Sequence, residues 1–334
     1  MQQNQYCRPP ALGRRWDLRR VGARGLQQTT MNPRDIVISG VGVVSPLGCD
    51  ANVFWRKLQA EERGHQREIH FDGRPSTRCF SPPAFDVDEI ISASRLRRVS
   101  PITQFACAAA ALAIRDANLA LDNKTAMRRV GVVTAVSHGG ISFTLQFHSE
   151  LVQQGARAAS PMLFPETVYN APSSHLAAVL GCDHVNYTVV GDAAAAYNAV
   201  AMARDLLTLD IVEHCLVVGA EEADWVVTNA YHRNGHRCIT GEGAGAILLS
   251  KNRKGYACIV EVDRGSPIHS HAERKAKKSE ANGSFTAQLG EAFTAGAVWQ
   301  LIAHAFRTRD LQTQVRSHCT GLNTQASTII LAPV

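Results

Sequence analysis

The chain has 334 residues, 45% of them hydrophobic and 19% charged, enough apolar material for one large core or two fused halves. Its formal charge of +6 is concentrated at one end: residues 1–30 hold six arginines against a single acid, Asp17, and the remainder is nearly neutral. A neutral body leaves no electrostatic footprint for nucleic acid, and no window approaches the roughly 18 consecutive apolar residues of a membrane span, so neither partner is expected.

The nine cysteines are scattered, odd in number and form no C-x-x-C pair. This argues against a disulfide framework or a zinc site and for a reducing, cytoplasmic setting. Residues 1–30 are rich in Gln, Arg and Gly and lack apolar periodicity. Their composition fits a basic tail or an Arg-rich, acid-poor transit peptide. The missing periodicity favours a disordered extension from a mis-called start, with Met31 as the natural first residue.

From Asp35, DIVISGVGVVSPLG predicts a buried strand ending in a Pro/Gly turn, and ANVFWRKLQAEE a helix capped by Asp50. The glycine spacing touches the dinucleotide fingerprint, but Pro46 and the continuing apolar strand argue against a phosphate-binding turn. Residues 62–100, broken by prolines, are expected to be an irregular cap over the core. A small-residue helix is predicted over 102–121, a strand running into a glycine turn over 129–140, and a helix over 143–155. The stretch NYTVVGDAAAAYNAV (186–200) reads as a short β-branched strand, a tight turn at Gly191–Asp192 and an alanine-rich helix reaching about Leu207. A strand–turn–helix of this kind can hold a nucleophile, because the helix N-terminus offers unpaired N–H groups and a partial positive charge. Strands follow at 214–221 and 245–250. Beyond them come a strand from 255, a polar tract at 275–284, a helix over 289–306 and two closing strands. Strands alternating with helices indicate an α/β layered fold.

Several of these stretches carry a family resemblance. FPETVYNAPSSHLAAVLG ahead of the 186–200 stretch, CLVVGAEE and GEGAGAILLS after it, and the G-x-G-x-x-S-P-x-G pattern of the opening strand are similar to the β-ketoacyl synthase branch of the thiolase-like condensing enzymes. The resemblance covers about 35–250 well and 255–334 in pieces. It implies a thiolase-like fold of two βα halves, a ketosynthase-like N-terminal half over 31–254 and an abbreviated C-terminal half over 255–334.

The resemblance also implies which residues should carry chemistry. Such enzymes need a thiolate cysteine at a helix N-terminus, a histidine in an H-G-T-G-T loop, and a lysine and second histidine in K-x-x-x-G-H at another helix start. Matching Asn198–Ala199–Val200 to the family's N-A-I places Ala193 at the cysteine. Gly290–Glu291 matches the G-H start, so Glu291 replaces a histidine, and Thr286 falls at the lysine. No H-G-T-G-T occurs. Asp192 and Glu291 are weak substitutes: a carboxylate ahead of a helix is foremost a cap or a charge suited to the dipole. Glu242 is expected to shape the core, Tyr197 to be packed and Cys215 to be an ordinary buried thiol. By resemblance, Ala193, His269, Gly321 and Leu322 line a substrate tunnel, the turn Gly321–Leu322–Asn323 lacking the family's phenylalanine. His232, His236, His269 and His271 have no spacing that brings them to one metal, and no cofactor is expected.

The implied function is a non-catalytic subunit like the chain-length factors. It would pair with an active ketosynthase and meet an acyl carrier protein in type II fatty-acid, polyketide or aryl polyene assembly. The family's nucleophile strand lies at a two-fold axis, so 186–190 is expected to be paired in a dimer. An enzyme with altered thioester chemistry (hydrolysis or decarboxylation) and a stand-alone acyl-binding homodimer are the alternatives.

Overall fold

A computed structural model of the chain describes residues 36–334 except 92, 158, 237–238, 252, 268–284 and 322–324. The expected extension at 1–30, the tract 275–284, His269, His271, Leu322 and Asn323 lie outside or largely outside the described residues.

The described residues open with β1 (Ile36–Val44), α1 (Ala51–Gln59) and a hairpin of β2 (Gln66–Ile69) and β3 (Thr77–Phe80). The short α2 (Val87–Ile90), α3 (Pro101–Asp116) and α4 (Lys124–Met127) lead to β4 (Val130–Val136), α5 (Ile141–Gln154) and α6 (Ala171–Leu180). Then come β5 (Asn186–Val190), α7 (Ala193–Thr208), β6 (His214–Glu221), α8 (Trp225–Arg233) and β7 (Gly243–Lys251). The remainder is β8 (Ala257–Pro267), α9 (Thr286–Leu289), α10 (Phe293–Leu311), β9 (Val315–Thr320) and β10 (Gln325–Ala332).

Eight strands form one mixed sheet in the order β5-β4-β6-β7-β1-β8-β10-β9. Counted within its own half, the first arm reads 3-2-4-5-1, and the second, β8-β10-β9, repeats the last three places in reverse as 1-5-4. Strands β1/β7 and β7/β6 are antiparallel, as are their counterparts β8/β10 and β10/β9. The helix ahead of β6, α7, packs on the helix ahead of β9, α10. The fold is therefore thiolase-like, two βα halves of which the second is abbreviated. Among the described residues, that half lacks counterparts of β4 and β5.

The sheet wraps α7 and α10, which touch strands of both arms, while α3 covers the far side of the first arm and packs against α6. Close approach requires glycine on each face. A Cβ at Gly42 would sit 1.9 Å from the Ala109 carbonyl of α3, and one at Gly219 would sit 2.3 Å from the Thr294 carbonyl of α10. Every residue of β1 is buried, which explains its unbroken apolar run. Segment 62–100 departs from the expected irregular cap. It contains the β2/β3 hairpin, which bonds onto the start of β7 through Phe80 N–H to Thr240 O (2.9 Å) and Glu242 N–H to Phe80 O (2.9 Å). Strands of four mixed-polarity residues carry too little alternation to be recognised from pattern alone. No helix among the described residues is long and apolar enough to cross a membrane.

Candidate functional site

Strands β4, β5 and β6 run parallel, so their carboxyl ends share one edge of the sheet. Crevices at such ends, where strand order reverses, are the usual place for a ligand in α/β folds. The ends deliver Ser137 and His138 after β4, Gly191 and Asp192 after β5, and Glu221 as the last residue of β6. The second half contributes Glu291, just ahead of α10, and Gly321, just after β9.

Asp192 is the N-cap of α7: its backbone is extended and its carboxylate accepts from the Ala194 N–H (3.2 Å). Ala193 is thus the first residue of the helix and offers only a methyl group. Glu291 Oε1 accepts from the Phe293 N–H (3.0 Å), while its backbone bridges to Ile239 and Gly241. Burial raises the Glu291 carboxyl pKa. The Phe293 N–H opposes that shift, and the negative charges of Asp192 and Glu221 add to it. Gly321 closes the group, its Cα lying directly against the Asp192 carboxylate.

Of the residues expected from the sequence, the structure brings Asp192, Ala193, Glu291 and Gly321 together. Thr286 opens α9, a turn anchored on the α1 side by Gln288 Nε2 to Leu58 O (3.1 Å) and by the Gly64 N–H to Gln288 O (2.8 Å). His269 and Leu322 lie outside the described residues. Glu242 is structural: it accepts both Arg67 Nε (2.7 Å) and Nη2 (2.9 Å), and the Ala223 N–H (3.0 Å). Tyr197 is packed in the core with its hydroxyl on Ser317 Oγ (2.5 Å). Cys215 is buried, its thiol pushed up to about 12.

Two residues were not anticipated as a pair. Glu221, 1% exposed, accepts the Ser137 N–H (2.8 Å) and Thr294 Oγ1 (2.5 Å) through Oε1. Among the described residues, its Oε2 makes no hydrogen bond and lies 3.6 Å from His138 Nδ1, an atom that likewise makes none. The His138 ring stands edge-to-face on Phe293 (4.7 Å between centroids). It lines a cavity of about 450 Å³ whose apolar wall is Val226, Val227 and Ala230 and whose polar side includes Tyr231 and His236. The only sequence signal was position: S-H-G-G and G-A-E-E each end an apolar strand.

Behind this site a second buried carboxylate ties helices together. Glu222 accepts the N–H groups of Ile102 (3.1 Å) in α3 and Ser142 (2.6 Å) in α5, and burial raises its pKa to about 7.

Residues 33–255 match the model of the β-ketoacyl synthase N-terminal domain. The chain is 27% identical to 3-oxoacyl-[acyl-carrier-protein] synthase 2 of Vibrio harveyi over 237 residues, which are 70% of this chain and 54% of that protein. The chain thus spans about half the length of the curated relatives it matches. Among solved structures, the ishigamide ketosynthase/chain length factor superposes with a TM-score of 0.78 at 18% identity, covering 90% of this chain and 99% of that one. A chain from the complex of a type II polyketide-synthase acyl-carrier protein with its ketosynthase superposes with a TM-score of 0.74 at 14% identity, covering 90% of this chain and 99% of that one.

Proposed function

Because the chain belongs to the β-ketoacyl synthase family, we propose that it is a subunit that does not itself catalyse condensation. In this reading it pairs with an active ketosynthase to shape the acyl tunnel of a type II fatty-acid, polyketide or aryl polyene system. The observation that carries the reading is the acidic cluster at the helix start where a condensing enzyme keeps its thiolate. The charges of Asp192 and Glu221 act on Glu291 there, and α7 begins with Ala193. Negative charge at that point disfavours a thiolate, and it repels the carboxylate of an incoming malonyl group. Residues 31–254 then form the ketosynthase-like half and 255–334 the shortened half, with Ala193 and Gly321 on the tunnel.

The edge of the sheet supports a partner. Strand β5 ends the sheet, with Tyr187 and Val190 half exposed. An exposed β-branched edge of this kind is a template for a strand from another chain. Affinity capture of the tagged protein from its native cells, followed by native mass measurement, tests the reading. One copy of this chain bound to a larger ketosynthase is expected. A homodimer without such a partner would replace the reading with a stand-alone acyl binder.

A second reading has its own support. A buried carboxyl with a raised pKa in an acidic cluster, Glu291, is suited to donate a proton in altered thioester chemistry. Turnover of acyl thioesters that disappears in Asp192→Ala, with the fold intact, would favour it.

A further inference from the structure

The geometry points to His138 and Glu221 as a proton-transfer pair that hydrolyses an acyl thioester held in the cavity beside α8. The inference rests on the reading that this chain receives acyl groups, and it adds an activity to that role.

Three observations converge on the pair. First, Glu221 is almost wholly buried. One of its oxygens is fixed by Ser137 and Thr294, and the other, on the side of His138, has no hydrogen bond among the described residues. A buried carboxylate oxygen left this way is costly unless something charged or donating faces it, and the imidazole 3.6 Å away is that group. Second, His138 is clamped against Phe293, which limits how its ring can turn. With Nδ1 toward Glu221, Nε2 is the nitrogen left to meet a ligand or water. Third, His138 lines the cavity of about 450 Å³, whose apolar wall of Val226, Val227 and Ala230 suits a short acyl chain. A carboxylate that orients an imidazole and stabilises its protonated form is the general-base arrangement of hydrolytic sites.

The step balances without a cofactor. His138 Nε2 takes a proton from water as the water oxygen bonds to the thioester carbonyl carbon. Collapse of the tetrahedral adduct breaks the C–S bond, and the departing thiolate takes the proton from the imidazolium. The products are a carboxylic acid and a thiol. Glu221 acts through His138 and is a positioning residue. Among the described residues, Tyr231 and His236 line the same cavity as His138, and Glu291, ahead of α10, lies within the electrostatic reach of Glu221.

The test follows release of acid from acetyl- and hexanoyl-N-acetylcysteamine by the full chain between pH 5 and 9. We expect turnover above buffer. His138→Gln should lower it by about a hundredfold or more, and added imidazole should restore part of it in His138→Ala. Glu221→Gln should lower kcat by roughly tenfold with KM nearly unchanged, a split that lost packing alone would not give. A wild-type rate equal to buffer, or a His138→Gln rate equal to wild type, overturns the inference. Native mass of the captured complex judges the subunit reading separately. A complex without hydrolysis defeats only this inference, and hydrolysis through His138 without a complex defeats only the subunit reading.

Discussion

Gly321 and Asp192, from the two halves of the fold, are in direct contact: a Cβ at Gly321 would lie 2.0 Å from Asp192 Oδ1. The α7 cap therefore has a wall that tolerates only hydrogen. Gly321→Ala should push the carboxylate off the Ala194 N–H and destabilise the protein by about 1–2 kcal/mol, the usual scale of a lost N-cap. In urea titrations the double variant with Asp192→Ala should lose less than the sum of the two single changes, because both remove the same cap.

A thiol placed at the start of α7 would not make this site a condensing one. Helix N-termini lower a thiol pKa, but Asp192 and Glu291 work the other way here. Both already help to hold Cys319 well above the usual thiol range, after burial as the largest cause. Ala193→Cys should therefore react with iodoacetamide at pH 7 no faster than a free thiol. Adding Glu291→Gln should speed that alkylation several-fold, while malonyl condensation stays undetectable in both.

His304, 4% exposed, is held neutral in the core, with its pKa lowered to about 4 by burial and by the nearby Arg307 charge, and with Nδ1 on Ser317 Oγ (2.8 Å). Between pH 6.5 and 4 the unfolded chain takes up this proton and the folded chain does not. Stability from this site is complete above pH 6.5 and is lost as pH falls toward 4, by roughly 3 kcal/mol across the window. His304→Gln should flatten that part of the stability–pH curve measured by chemical denaturation.

The Arg67–Glu242 fork joins the β2/β3 hairpin to the start of β7, with the carboxylate side chain 4% exposed and the guanidinium side chain 41% exposed. Arg67→Ala should leave a buried charge that keeps only the Ala223 N–H. We expect a loss of about 2 kcal/mol, below a fully buried pair because water reaches the arginine. Protease cleavage within 62–80 should quicken before global unfolding does.

Lysine at the sheet edge tests the partner surface. Tyr187 and Val190 are 49% and 52% exposed, so Tyr187→Lys with Val190→Lys should leave thermal unfolding of the isolated chain nearly unchanged. In native mass spectra the same variant should lose its partner, since edge lysines block strand pairing.

Much of this architecture was legible in the residues. The apolar run of β1, the β-branched 187–190 stretch and the capping role of Asp192 each follow from local sequence, because strand burial and helix caps are decided within a few positions. The GEGAGA stretch around Glu242 was readable as structural for a related reason, since its glycines admit Trp299 and Val298 of α10 against the strand. The pair His138–Glu221 was not legible. The two residues are 83 positions apart, each ends a different strand, and only the parallel registration of β4 with β6 brings them together. The β2/β3 hairpin escaped notice because four-residue strands carrying Arg67, Glu68 and Arg78 resemble loop sequence.

The place of β1 in the sheet also has a consequence for synthesis. Among the described strands it is made first, whereas its neighbours β7 and β8 follow only after β4, β5 and β6; Ser39 bonds to Leu248, 209 residues later. At about 5–20 residues per second, a ribosome needs roughly 10–40 s to deliver that partner. For that time the nine apolar and small residues of Ile36–Val44 have no strand to pair with. The nascent chain is therefore a natural client for chaperones that hold extended apolar segments. Its folding should be limited by this late closure rather than by helix formation, which is complete within microseconds.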